Sequence, residues 1–267
     1  MPTPIVVCGA AGRMGKTLIG LVAQNDATRL AGAVEVAGHP AIGKDAGEVA
    51  GVGHLGVAIG DDFAAVATAD AVALDFTNAA AALEHLRTAA AHKSPIVIGS
   101  TGFTPPQQAE IEQLAPQTRC VIAPNMSVGI AVLQRLVRDA VQALPDFDPE
   151  IVEMHHRMKI DAPSGTALAL ARTVAEASGR TLANDAVYGR DGVIGQRQKN
   201  EIAVLALRGG DVVGDHTVIL AGLGERLELT HRAQSRESLA RGAIRAALWL
   251  AGQPAGHYSM HDVLGWR

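Results

Sequence analysis

The feature that most restricts the fold is an apolar strand running straight into a glycine-rich turn and a helix. Pro4 to Cys8 (P-I-V-V-C) is short and β-branched, as a buried parallel strand is. Gly9-Ala10-Ala11-Gly12-Arg13-Met14-Gly15 follows at once, and Lys16 to Gln24 continues with an amphipathic helical pattern. Strand, glycine turn and helix start in that order form the βα unit that seats a dinucleotide pyrophosphate on a helix N-terminus. The spacing is G-x-x-G-x-x-G, one residue longer in its first gap than usual. A glycine triad alone is weak, and a turn that holds no ligand is the plainer reading. Against that reading, a second strand at Leu30 to Val36 carries Glu35, 20 residues after Gly15. A carboxylate there is placed to accept hydrogen bonds from the adenosine ribose hydroxyls.

Strands and helices then alternate. Asp70 to Phe76, Pro95 to Gly99 and Arg119 to Ala123 read as strands, with helices at Ala79 to Ala91 and Pro105 to Ala115. Gly38 to Gly60 is rich in small residues and reads as a loop with little regular structure. This alternation predicts an α/β domain with a Rossmann-like, doubly wound parallel sheet, whose ligands lie across the carboxyl ends of the strands. The loops at Gly9, Asn78, Gly99 and Asn125 are therefore candidates for one crevice. Val128 to Leu144 is a single helix closed by Pro145. After it the pattern changes to strands at Glu150 to His155, Glu201 to Arg208, Asp215 to Leu223 and Arg226 to Arg232, interrupted by a helix at Thr166 to Ser178. That predicts a second, α+β domain on an open mixed sheet. One helix cannot cover the apolar residues of such a sheet, so a second subunit is the expected cover. A last amphipathic helix, Ser235 to Leu250, carries a stripe of Leu239, Ala243, Ala246, Ala247 and Leu250 suited to packing back on the first sheet.

Composition excludes several classes. Apolar residues at 48% supply a proper core, and a net charge of −4 offers no footprint for nucleic acid or an anionic membrane. No apolar run is long enough to span a bilayer, and the ends carry no signal or transit pattern, so a cytoplasmic setting is expected. Cys8 and Cys120 sit inside β-like runs and read as buried thiols, consistent with a reducing compartment.

The chemistry concentrates in Glu153 to Ala167, E-M-H-H-R-M-K-I-D-A-P-S-G-T-A. His155 and His156 close a strand with rings on opposite faces. Ser164 is placed as an N-cap, so the N–H groups of Gly165, Thr166 and Ala167 would form a small anion cradle beside Arg157 and Lys159. Each piece has a bland reading: paired histidines are usually structural, Ser-Gly-Thr is usually only a cap, and loop cations are usually solvated. No metal site is read, because no third ligand stands at a recognisable spacing from the histidine pair. The conjunction of proton donor, cation and N–H cradle favours a pocket for a carboxylate-bearing substrate.

The run H-H-R-x-K-x-D-A-P-S-G-T-A resembles the signature of the 4-hydroxy-tetrahydrodipicolinate reductase family, formerly dihydrodipicolinate reductase, of the lysine/diaminopimelate pathway. Asp75-Phe76-Thr77, Val97 to Gly102, Ala123 to Gly129, Gly214 to Thr217 and Ala247 to Trp249 are similar to further family landmarks, so the likeness spans nearly the whole chain. The resemblance implies a Rossmann-like domain over residues 1–126 and 237–267, with a substrate-binding and tetramerisation domain over 127–236 and a hinge about Asn125 to Gly129. It implies an oxidoreductase that forms tetrahydrodipicolinate with NADH or NADPH. Carried over by position, His155 is the proton donor/acceptor and Lys159 a proton donor, while His156, Gly165 and Thr166 bind a substrate carboxylate. Gly9, Ala10, Ala11, Gly12, Arg13, Met14, Glu35, Gly99, Ser100, Thr101, Ala123, Pro124, Asn125 and Met126 contact the dinucleotide. Ser100 replaces the Thr of many members, Asn78 stands where some carry a basic residue, and Val36 stands where dual-specific members carry Arg. Arg13, the only nearby cation, softens the repulsion from Glu35 without reversing it, so both cofactors are expected to work, with NADH preferred over NADPH. The expected partners are a small dicarboxylate and three further copies of the chain. The rival readings are another two-domain nicotinamide enzyme, such as an amino-acid dehydrogenase, and a non-catalytic dinucleotide sensor.

Overall fold

The computed structural model describes residues 1–235 and 237–266. The chain divides into two compact units, Met1–Ser127 with Glu237–Arg267, and Val128–Arg236. In the first unit the chain runs β1 (Thr3–Cys8), α1 (Arg13–Ala23), β2 (Thr28–Val34), α2 (Ala46–Ala50), β3 (Ile59–Gly60), β4 (Val72–Asp75), α3 (Ala79–His92), β5 (Ile96–Ile98), α4 (Pro105–Leu114) and β6 (Arg119–Ile122). The second unit holds α5 (Val128–Ala143), β7 (Asp148–His155), α6 (Gly165–Ser178), α7 (Leu182–Asp185), β8 (Ala186–Val187), β9 (Ile202–Arg208), β10 (Gly214–Ala221) and β11 (Arg226–Ala233). The chain then returns to the first unit as α8 (Glu237–Leu250), β12 (Gly256–Tyr258) and α9 (Met260–Val263).

The first sheet has the order β12-β6-β5-β4-β1-β2-β3, with every ladder parallel. The order reverses between β1 and β4, where Cys8 stands beside Asp75, and such a reversal is where doubly wound sheets bind their ligands. Val6, Cys8, Ala73, Ile96 and Ile98 face a core built with α3 and α4. Ile5, Leu18, Leu74 and Leu86 are fully buried, each stabilising the fold by roughly 1.5–3 kcal/mol. The returning helix α8 packs against α1 and the central strands, burying Ala240, Ala243, Ile244, Ala246, Ala247 and Leu250, close to the stripe expected.

One local reading is corrected in this unit. Helix α1 begins at Arg13, inside the glycine motif rather than after it. Gly15 is thus a helical residue, and a Cβ on it would stand 2.1 Å from the Gly9 carbonyl oxygen, so only glycine lets helix and turn approach this closely. The segment between Gly38 and Gly60 has little regular structure, as expected, apart from α2 and the two residues of β3. Asp45 caps α2 and accepts hydrogen bonds from the amides of Gly47, Glu48, Leu55 and Val57. Burial pushes its carboxyl up, but the amides outweigh it and hold the pKa at about 2.

The second sheet has the order β11-β10-β7-β9-β8 and mixed pairing, with β7 antiparallel to β10 and parallel to β9. The expectation of a single covering helix is wrong. Both α5 and α6 cover one face, where Ile130, Leu133 and Val137 join Leu170, Val174, Ile151, Val204 and Val218 in one core. The α5 periodicity was legible and the expected second domain over 127–236 included it, but its packing on the sheet beside α6 was not read. Register puts Val218 and Leu220 on this helix-covered face, with Leu227 and Leu229 opposite Leu220 and Val218. On the other face lie Val152, Met154, Leu205, Leu207 and Ile219. These stay partly or fully exposed, Leu207 at 50%.

Candidate active site

In the first unit the residues expected at the dinucleotide lie at the carboxyl ends of four strands of the first sheet. Gly9 to Met14 follow β1, Glu35 follows β2, Gly99 to Thr101 follow β5, and Ala123 to Met126 follow β6. Gly9 turns with φ +71°, and α1 starts after Gly12 with neither a side-chain cap nor an acidic residue in its first turn. Glu35 Oε1 accepts from the Ala11 amide at 2.9 Å and Oε2 from the Val36 amide at 3.0 Å, which holds the carboxylate against the glycine loop. The tight glycine turn, the uncapped helix start and the adjoining acid fit a dinucleotide. Asn78 is the N-cap of α3, accepting from the amides of Ala80 and Ala81.

Behind these loops lies a cluster that the sequence reading did not single out. Asp75 is fully buried and its Oδ1 accepts from the Thr77 amide (3.0 Å), the Thr77 hydroxyl (2.7 Å) and the Ser100 hydroxyl (3.2 Å). Its Oδ2 meets His85 Nδ1 at 2.5 Å. Burial, and then the charge of Asp75, raise the Cys8 thiol well above its ordinary pKa, so it stays protonated. Ligand atoms of Cys8, Asp75 and His85 lie within 4.8 Å of one another. Gly99 is required here, because a Cβ on it would stand 2.2 Å from the Phe76 ring.

In the second unit β7 alternates cleanly, so Ile151, Glu153 and His155 share its buried face and lead from the apolar core to the strand end. Glu153 is fully buried. Its Oε2 meets His155 Nδ1 at 2.6 Å, Arg208 grips both carboxylate oxygens at 2.9 Å each, and the Ser164 amide donates to Oε1 at 3.0 Å. Burial pushes this carboxyl up, but Arg208, His155 and the Ser164 amide outweigh it and hold it below the usual carboxylate range. Burial pulls the His155 imidazole down, partly offset by Glu153.

Ser164 links this group to the helix start. Its hydroxyl caps the Ala167 amide at 3.2 Å and meets His216 Nε2 at 3.1 Å. The expected cradle of three amides is therefore narrower, since Ser164 takes that of Ala167. His216 is paired in register with Glu153, and its ring stands 5.1 Å from that of His155, edge to face. Burial first, and then His155, lower its pKa to about 4, so it is neutral near pH 7. Lys159 Nζ pairs with both oxygens of Asp161 at 2.8 and 2.9 Å, and that pairing holds Asp161 low. His156 Nδ1 is buried and has no hydrogen-bond partner among the described residues. Arg157 is exposed. Glu153, Arg208 and His216 were missed as site residues. The signal for Glu153 was its two-residue offset from His155 in an alternating strand, whereas Arg208 joins through strand pairing that local sequence does not encode.

A unit built for a dinucleotide, joined to one that carries a buried acid–base cluster, defines an oxidoreductase of the nicotinamide class. The family profile described as "Dihydrodipicolinate reductase, N-terminus" matches residues 3–126, and that described as "Dihydrodipicolinate reductase, C-terminus" matches residues 129–264. The 4-hydroxy-tetrahydrodipicolinate reductase of Syntrophus aciditrophicus is 50% identical over 98% of both chains. That of Anaeromyxobacter dehalogenans (strain 2CP-1) is 53% identical over 99% of this chain and 98% of its own. The dipicolinate-bound dihydrodipicolinate reductase of Paenisporosarcina sp. TG-14 superposes with a TM-score of 0.76 at 23% identity, covering 98% of this chain and 99% of its own. The chain belongs to the dihydrodipicolinate reductase family. It is an oxidoreductase of lysine/diaminopimelate biosynthesis, and its first unit is an NAD(P)H-binding Rossmann-like domain. No helix among the described residues is long and apolar enough to cross a membrane.

Proposed function

We propose that the chain reduces the 4-hydroxy-tetrahydrodipicolinate-derived ring to tetrahydrodipicolinate. The hydroxyl leaves as water, which generates a ring double bond conjugated to the imine. The nicotinamide, when bound, supplies two electrons and a hydrogen as hydride to ring carbon 4. The displaced electron pair leaves the ring carbon between carbon 4 and the imine carbon basic, and His155 delivers a proton there and recovers it from solvent. Lys159 and the Gly165–Thr166 start of α6 hold the two substrate carboxylates, with His156 beside them. Lys159 must exchange Asp161 for the substrate, and its ammonium also steadies the developing charge. The nucleotide is held by Gly9 to Met14, Glu35, Gly99 to Thr101 and Ala123 to Met126.

The observation that carries this reading is the convergence of His155, His156, Lys159 and the α6 N-terminus in one short loop, with the nucleotide loops on the other unit. An amino-acid dehydrogenase would share the glycine turn and Glu35 but has no use for this loop. Glu35 favours NADH, because its carboxylate repels a 2′-phosphate and Val36, 70% exposed, supplies no cation to offset it. The uncovered face of the second sheet supports assembly as a homotetramer, and the likeness to biosynthetic reductases supports a cytoplasmic setting. Freshly prepared precursor assayed with each reduced nicotinamide tests the reaction. Turnover with NADH favoured in kcat/KM is expected, and no oxidation of either cofactor overturns the proposal.

A further inference from the structure

We propose that Glu153 is the positioning residue of the reaction: clamped by Arg208 and the Ser164 amide, it fixes the Nδ1–H tautomer of His155 and leaves Nε2 as the nitrogen through which the proton passes. The inference rests on the role given to His155 above and adds what makes that role possible.

The geometry carries it in three steps. A carboxylate has no proton of its own to offer near neutral pH, so the 2.6 Å contact makes His155 Nδ1 the donor and Glu153 the acceptor. Glu153 cannot rotate away, because Arg208 spans both its oxygens and the Ser164 amide holds Oε1. With Nδ1 committed, Nε2 is the only ring nitrogen left to exchange a proton, and no described residue hydrogen-bonds to it. A side chain on residue 214 would occupy that space, since a Cβ there would stand 2.9 Å from Nε2, so Gly214 keeps it open.

Arg208 has a further consequence. Glu153 is fully buried, and a buried carboxylate without a cation is costly. Because Arg208 supplies a permanent charge, His155 can lose its second proton without stranding Glu153. The imidazole is thereby free to alternate between charged and neutral forms. Ser164 serves the arrangement from its other side. Its amide holds Glu153 while its hydroxyl is anchored by His216, so the cap of α6 and the orientation of His155 are fixed by one residue.

The test uses the full-length enzyme, its Glu153→Gln variant and the Glu153→Asp variant. Imidazole 15N spectra of free wild-type enzyme should assign His155 the Nδ1–H tautomer, and Glu153→Gln should lose that assignment. Glu153→Gln should lower kcat on the order of 10²–10⁴-fold, the range for a general acid and its orienting carboxylate. KM and NADH affinity should change by no more than a few fold. Since Glu153 raises the His155 pKa, the limb of the pH profile that reports protonated His155 should move to lower pH in Glu153→Gln. Glu153→Asp should recover at least tenfold of the lost kcat. A wild-type Nε2–H tautomer overturns the proposal even if the variant fails to fold. So does a Glu153→Gln enzyme with unchanged kcat and an unshifted profile. If the tautomer is as stated but His155→Asn keeps full turnover, the role of His155 fails and the positioning geometry stands.

Discussion

Each unit buries one carboxylate–histidine pair at the end of a central strand, and the two are compensated differently. Asp75 meets His85 at 2.5 Å and takes its other hydrogen bonds from the neutral groups of Thr77 and Ser100. Glu153 meets His155 at 2.6 Å but also carries the bidentate Arg208. Among the described residues His85 is the only basic group in contact with Asp75, whereas Glu153 has both His155 and Arg208. The contrast is between an acid held by neutral groups of two loops and an acid held by a fixed cation, which leaves the histidine beside the second one free to exchange a proton. The Asp75 clasp joins the loops after β4 and β5, which supports its reading as scaffolding for the nucleotide loops.

Removing the fixed cation should break the comparison most strongly. Arg208→Met leaves Glu153 buried with only His155, and should lose about 3–5 kcal/mol of stability, the cost of stripping one partner from a buried pair. Thermal melts check this. The loss should shrink as pH falls, because Glu153 in the variant can then take up a proton. Unchanged stability near pH 7 would mean that Arg208 is not the compensating charge.

The next effect concerns His216, which sharpens the contrast by anchoring Ser164. Its folded pKa of about 4 lies below the ordinary 6.5, so the unfolded chain binds more protons between those values. Its contribution is full above pH 6.5 and is lost as pH falls toward 4, by at most about 3 kcal/mol. Denaturant melts across that window should therefore be steeper in pH for wild type than for His216→Gln. Equal slopes would place the acid sensitivity elsewhere.

The smallest effect lies on the nucleotide side. Val36→Arg should improve NADPH use by roughly 1–3 kcal/mol in kcat/KM, the scale of one charge-assisted hydrogen bond, while leaving the His155 chemistry untouched. Kinetics with both cofactors check it, and an unimproved NADPH would mean that residue 36 does not face the 2′ position.

The sequence made the two architectures legible because their signals are local. Strand, glycine turn and helix recur within the first 24 residues, and β7 alternates faces residue by residue. What stayed hidden depends on pairing between distant segments. Arg208 reaches Glu153 across 55 positions, and His216 reaches Ser164 across 52, each brought in by a neighbouring strand of the second sheet. Strands as short as β3, β8 and β12 carry too few residues for a period to register. Helix α5 was found and fell within the expected second domain, but its packing on the sheet was not read, because amphipathicity says that a face is buried and not against what. The Lys159–Asp161 pair was adjacent in sequence yet read only as a free cation, since nothing local distinguishes an ammonium awaiting substrate from one already paired.

The most direct measurement compares His155→Asn with His85→Asn in one assay of turnover, NADH affinity and thermal stability. The account predicts that His155→Asn loses on the order of 10²–10⁴-fold in kcat with NADH affinity unchanged. His85→Asn should instead lose chiefly stability and nucleotide affinity, with kcat at saturating NADH within about tenfold of wild type. A His155→Asn enzyme that turns over within twofold of wild type, or a His85→Asn enzyme that keeps its stability but loses turnover as completely, would contradict the distinction between the two pairs.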